Sequence, residues 1–275
     1  MTIGGKWNAA TDAVTAEGTG TVYRDVYGGG FGSEDYKTST TIHIKEPDPD
    51  NSGQYKDATY TFTPMQFAGC VGKTTNVNIL GGWVKKNVYG GGEMASVGVV
   101  DFAYALGHIH EAKKGSGTEE TFTDFGLSWP YELTYQPGFE GTANVTVKGG
   151  RIGLTGKDYM GSNTSLTDEQ KKALEEDNGD VFGGGRGITG DRYDMAFCAN
   201  VNNTVVNINY TNSTATPANY KDNEAGVYAH DCVSGSVYGG GENGHVIDNT
   251  NVTLANGLIG HAMYGGGKGK DTYIA

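Results

Sequence analysis

Positive charge is scarce in this chain, and that excludes one class of partner at the outset. Twenty Lys and Arg stand against 32 Asp and Glu, for a net charge of −12 over 275 residues. A nucleic-acid surface needs a basic footprint to neutralise phosphates, and none is present. Cysteine is also scarce. Three residues, Cys70, Cys198 and Cys232, make neither a disulfide framework nor a C-x-x-C metal pattern. An odd count at wide spacing reads as buried small hydrophobes; if the protein is exported, the pair to bond is Cys198 with Cys232. No apolar run reaches the 18 residues or so that a membrane-crossing helix needs, and no secretory leader is visible. G-x-S-x-G, H-E-x-x-H and the phosphate-binding loop ending in Lys-Ser/Thr are all missing, which removes the commonest hydrolase and nucleotide signatures.

What is present is glycine, 46 residues of it, in a fixed context. Five times a β-forming dipeptide precedes three glycines: Val26-Tyr27, Val88-Tyr89, Val181-Phe182, Val237-Tyr238 and Met263-Tyr264. Upstream lies a second recurring segment, seen in Val77-Asn78-Ile79-Leu80-Gly81-Gly82-Trp83-Val84, Val145 to Ile152 and Val252 to Ile259. The chain opens on a fragment of it, Thr2 to Trp7. Apolar residues two apart share one face of a strand, and a Gly pair then turns the backbone. Four residues separate the inner apolar position from the dipeptide at Val84 to Val88, Val233 to Val237 and Ile259 to Met263.

A core period that persists while insertions vary marks a stacked repeat. The uninterrupted unit runs about 26 residues, from Tyr238 to Tyr264. The expectation is an all-β protein of 1–275, a single right-handed parallel β-helix (a β-solenoid). Insertions fall at about 8–25, 45–73, 93–141, 153–180 and 210–232, and one short helix starts at Ser165. Equivalent residues then lie about 4.8 Å apart along the axis. Tyr27, Tyr89, Phe182, Tyr238 and Tyr264 form one ladder, with glycines stacked where backbones approach too closely for a Cβ. Flexible glycine linker and packed polyglycine helices are the competing readings; apolar residues at fixed offsets weigh against the first, and triplets are short for the second. Met1 falls inside a repeat unit rather than a polar cap, which predicts a fragment of a longer protein.

Candidate chemistry sits mainly on the insertions. His108 and His110, two apart on a strand, share a face and suit zinc if a third ligand joins them; a solvated pair is the simpler reading. Asp271, after the last triglycine, fits a calcium nonapeptide turn once, without the tandem copies such sites share, so Ca2+ is a weak candidate and no cofactor is expected. Asp191, Arg192 and Asp194 are the best enzyme-like group, since β-helix lyases and glycoside hydrolases use grouped carboxylates with a basic residue. An ion-paired surface loop explains them equally. Aligned on the Gly pair, Trp7 matches Val84 and Ile152, which are inward positions. Trp83 matches Lys6 and Arg151, which point outward. Trp83, Trp129 and Tyr131 are therefore the candidates for a binding surface.

Val77 to Gly92 and Val252 to Gly267, with weaker support at Val145 to Ile152 and Val181 to Gly185, resemble the glycine-rich repeats of large secreted or surface-exposed proteins of Bacteroidetes-type bacteria. That resemblance covers about a third of the chain. It implies a β-helical adhesin or scaffold at the cell surface or outside the cell, binding a glycan or a host or bacterial surface protein, and it carries over no catalytic residues. The expected function is thus a non-enzymatic surface module displaying loops. A carbohydrate-active β-helix enzyme and a phage-type receptor-binding adhesin are the alternatives.

Overall fold

The computed structural model describes residues 1–8, 10–11, 13–15, 19–32, 40–47, 50–51, 54–62, 69–101, 111–114, 120–123, 134–135, 138–154, 167, 178–188, 198–211, 213, 215–216 and 231–269. Among these the protein is all-β with no helix, and no helix is long and apolar enough to cross a membrane. The helix expected from Ser165 lies outside the described residues, as do His108, His110, Trp129, Tyr131, Asp191, Arg192, Asp194 and Asp271.

Five layers repeat one arrangement. In four of them a long strand carries alternating apolar residues, and in all five a two-residue strand follows. The long strands Thr74–Val84, Thr142–Ile152, Val201–Asn209 and Val246–Asn256 pair in parallel in chain order, and Thr2–Ile3 and Thr21–Val22 together supply the first layer. Val26–Tyr27, Val88–Tyr89, Val181–Phe182, Val237–Tyr238 and Met263–Tyr264 make a second parallel sheet in the same order. A third, narrower ladder joins Val71, Val97, Val201 and Val246. The core pairings stay matched across insertions of very different length, with bulges shifting the register near Gly149, Asn203 and Asn209.

Alternation explains the core. Val77, Ile79, Val84 and Val88 of the second layer lie on Val145, Val147, Ile152 and Val181 of the third, all fully buried. Each such side chain contributes roughly 1.5–3 kcal/mol of burial, so the inner column is the main source of stability. The residue after Val26, Val88, Val181, Val237 or Met263 points to the other side of its short strand. There Tyr27, Tyr89, Phe182, Tyr238 and Tyr264 stack with centroids 4.8–4.9 Å apart and planes within 11°. That spacing is the strand separation itself.

The triglycines are required by the layers above them. A Cβ on Gly91 would lie 2.6 Å from the Gly185 nitrogen, and one on Gly90 would lie 2.3 Å from the Gly183 oxygen. Instead, Gly91 N–H donates to the Gly184 carbonyl at 3.1 Å. At the Gly pair, Gly82 has φ +80° and also faces the Gly20 backbone, so two separate constraints select glycine there.

One sequence expectation needs correction. Val22, not Trp7, lies opposite Val84, because the chain leaves the first layer after Ile3 and returns at Thr21. Lys6–Asn8 instead pairs with Ala13–Thr15 as an antiparallel hairpin. Alignment on the Gly pair failed because the insertion falls immediately after Gly4 and Gly5. With Val22 in place, the four-residue step to Val26 holds in the first layer too. Cys198 and Cys232 are buried thiols with no disulfide between them, in keeping with their reading as small buried hydrophobes. They sit in different ladders, Cys198 near Val201 and Cys232 beside Val233.

Candidate functional site

Outward positions of the long-strand sheet converge on Trp83. A β-bulge at Gly149 shifts the register there, and the Gly pair leaves Thr21, Trp83 and Arg151 side by side across three layers. Val22, Val84 and Ile152, the next residues along, turn inward. One residue further, Tyr23 and Lys85 face outward again.

The indole is held rather than free to swing. Its Nε1–H donates to the Gly153 carbonyl at 2.8 Å. Arg151 places its guanidinium carbon 4.7 Å from the Trp83 ring centroid, and Lys85 Nζ lies 4.8 Å from the same centroid. Lys85 Nζ also lies 3.9 Å from the ring of Tyr23, which is strongly exposed. Each such contact contributes about 0.5–1 kcal/mol at an exposed site. Thr19, Thr21, Gly82, Trp83, Arg151 and Asp231 line a cleft of about 320 Å³. Asp231 is fixed by the Gly150 N–H, which donates to its Oδ2 at 2.7 Å. Thr19 and Asp231 end the first and last of the insertions, so the cleft lies where two insertions rejoin the layers.

The chemistry available is therefore one aromatic surface, two cations, a carboxylate and two hydroxyls. No group of three or more His, Cys, Asp or Glu suited to a metal ion occurs among the described residues. Of the residues expected to bind, Trp83 is the one whose surroundings are described. Tyr23, Lys85, Arg151 and Asp231 were missed. A register signal existed for three of them, since Arg151 shares the Trp83 offset and Tyr23 and Lys85 share the next outward one. Asp231 belongs to an insertion and has no such signal.

A second polar cluster borders the aromatic ladder. The residues after each triglycine run Phe31, Glu93, Arg186, Glu242 and Lys268 through the five layers. Arg186 bonds Glu93 at 2.6 Å, and Tyr89 donates its hydroxyl to Glu242 at 2.6 Å. Burial first, then the Glu242 carboxylate, pushes the Tyr89 phenol far up. Burial, followed by Asp25 and Glu93, does the same to Tyr27. Tyr27 Oη is buried without a well-formed hydrogen bond, although the Arg186 guanidinium lies beside it.

The residues before the short strands form their own ladder. Asp25 Oδ1 accepts from Asn87 N–H, Asn87 Oδ1 from Asp180 N–H, and Asp180 Oδ1 from Ser236 N–H, at 2.7–3.0 Å. Lys268 Nζ closes on Asp180 Oδ2 at 2.8 Å. Apart from the Asn87 amide, which also reaches Tyr89 of its own layer, these contacts link one layer to another, and the phenols stay protonated at neutral pH. Their work is to bind layers together.

Compared with protein-family models, curated proteins and solved structures, the chain has no match among them.

Proposed function

We propose that the chain is a non-enzymatic binding module of a cell-surface or extracellular protein, built as a right-handed parallel β-helix, and that the Trp83 cleft holds a glycan bearing carboxylates. The helical path is supported by three parallel ladders that keep one layer order and by the strong right-handed preference of parallel crossovers. The observation that carries the ligand class is the pair of cations at Trp83. In a chain of net charge −12, Arg151 and Lys85 both lie within 5 Å of one ring centroid.

A neutral sugar stacking on the indole competes with these cations for the ring. An acidic sugar meets them, and its hydroxyls reach Thr19, Thr21 and Asp231.

The test is calorimetric titration with uronate oligosaccharides against neutral oligosaccharides of equal length. Selective binding of the uronates, weakened more than about tenfold by Trp83→Ala and by Arg151→Ala and weakened by salt, supports the reading. Thermal melts of both variants check that the fold persists. Equal or absent binding of the two sugar classes, or binding untouched by both substitutions, overturns it.

A further inference from the structure

Among the described residues Tyr23 is the most exposed large hydrophobic side chain, at 72%. Single apolar side chains on a surface are ordinary, but this one is held in place. Lys85 Nζ stands 3.9 Å from its ring centroid and covers one face, so the open surface of the ring is the other face. Trp83 differs. It is half-buried, its Nε1–H is bound to the Gly153 carbonyl, and Arg151 and Lys85 both stand over its ring. The indole therefore seats two cations, and the flat apolar surface left open beside them belongs to Tyr23.

The two rings belong to one surface. Val22 pairs with Val84, which sets Tyr23 beside Lys85 as Thr21 is set beside Trp83. The Lys85 ammonium lies 3.9 Å from one ring centroid and 4.8 Å from the other, so a single cation bridges the aromatic pair. Tyr23 does not line the cleft itself. It stands at the outward step that follows Thr21, where a chain seated in the cleft leaves it across Lys85.

We propose that Tyr23 is a second sugar-stacking platform, contiguous with the Trp83 cleft, and that it makes the site select for the length of an acidic glycan chain. The inference deepens the reading of the cleft as an acidic-glycan site and rests on it. One unit of the chain occupies the cleft. The carboxylate next to it meets Lys85 Nζ in a charge-assisted hydrogen bond. A later unit lays the C–H face of its ring on the open face of Tyr23, which removes apolar surface of both from water. Lys85 holds the phenol ring before the sugar arrives, so little side-chain freedom is lost on binding. A chain too short to cross Lys85 leaves Tyr23 in water and gains nothing from it. The phenol hydroxyl has no part in the stacking, so phenylalanine serves equally well.

Calorimetric titration of the full chain with uronates from monosaccharide to hexasaccharide tests it, on the parent, Tyr23→Ala and Tyr23→Phe. Affinity of the parent is expected to rise with chain length. Tyr23→Ala is expected to weaken the longest uronate about tenfold and to leave the shortest unchanged, while Tyr23→Phe keeps the gain with length. Lys85→Gln separates stacking on sugar from support of the cation. It weakens every length, and in its background Tyr23→Ala still removes what remains of the gain with length. Melting temperatures equal to the parent's confirm that these exposed substitutions leave the fold intact. If uronates bind the parent but Tyr23→Ala weakens every length alike, Tyr23 only supports Lys85, and the second platform is overturned while the cleft assignment stands. Binding of every length untouched by Tyr23→Ala has the same consequence. Failure of uronates of every length to bind the parent overturns the cleft assignment and the platform together.

Discussion

Tyr89 lies flat against Phe182, with ring centroids 4.8 Å apart and planes 6° from parallel, although a long insertion separates them in the chain. The pair is the second and third ring of a five-ring stack, and each ring marks one layer. The rings occupy the face of the short strands opposite the aliphatic core, so stacking and core burial are separate contributions from adjacent residues.

Position within the stack sets the cost of losing a ring. Phe182 is fully buried, whereas Tyr264 is 49% exposed. Phe182→Ala is expected to cost about 3–5 kcal/mol, as large aromatic truncations in cores do. Tyr264→Ala is expected to cost less than about 1 kcal/mol in the monomer. Urea unfolding of the two variants measures the difference, and equal losses contradict the layer assignment.

Gly91→Val tests the approach of backbones. Its Cβ would lie 2.6 Å from the Gly185 nitrogen and 2.9 Å from the Gly185 Cα, so the second and third layers must separate locally. A loss of about 3 kcal/mol or more is expected, equivalent to a fall of roughly 6–12 °C in Tm. A calorimetric scan unchanged from the parent contradicts the packing.

The two ion-paired ladders differ in burial and hence in value. Asp180 is 3% exposed and accepts from both Ser236 N–H and Lys268 Nζ. Lys268→Met strands that carboxylate and is expected to cost about 2–3 kcal/mol. Arg186, 47% exposed, shares its charge with solvent, and Arg186→Gln is expected to cost no more than about 1 kcal/mol. Chemical denaturation at low and high salt separates the two, since only the Arg186 contribution is strongly screened.

Acid is expected to weaken the fold through His245. Burial lowers its imidazole from 6.5 to about 4. Between these values the unfolded chain binds a proton that the folded chain does not, so stability falls as pH drops from 6.5 and levels off near 4. The full shift corresponds to about 3 kcal/mol. That is an upper figure, because the residue retains some solvent contact while its Nδ1 is buried. His245→Gln should flatten this part of the stability–pH curve, and an unchanged slope contradicts the assignment.

The stacked layers were legible because apolar residues and glycines recur at fixed offsets, and backbone packing tolerates few substitutes at those offsets. Val84, Val88, Tyr89 and Gly91 illustrate this, each matched by its equivalent in the next layer. Trp7 was misplaced because two glycines announce a turn without saying whether the chain continues in the layer or departs from it. The cleft was half legible. Trp83 could be placed outward from the inward position of Val84, but Asp231 arrives from an insertion whose path leaves no periodic trace. The charge sequence Glu93, Arg186, Glu242, Lys268 was visible only as scattered acids, because its alternation emerges only when the layers are superposed.

Aromatic ring contacts in solution test the central claim most directly. Nuclear Overhauser effects measured on protein labelled only at Tyr and Phe rings should link Tyr27 to Tyr89, Tyr89 to Phe182, Phe182 to Tyr238 and Tyr238 to Tyr264. Rings two layers apart should show none. A folded sample with no cross-peak between Tyr89 and Phe182 contradicts the stack and, with it, the layer order of both sheets.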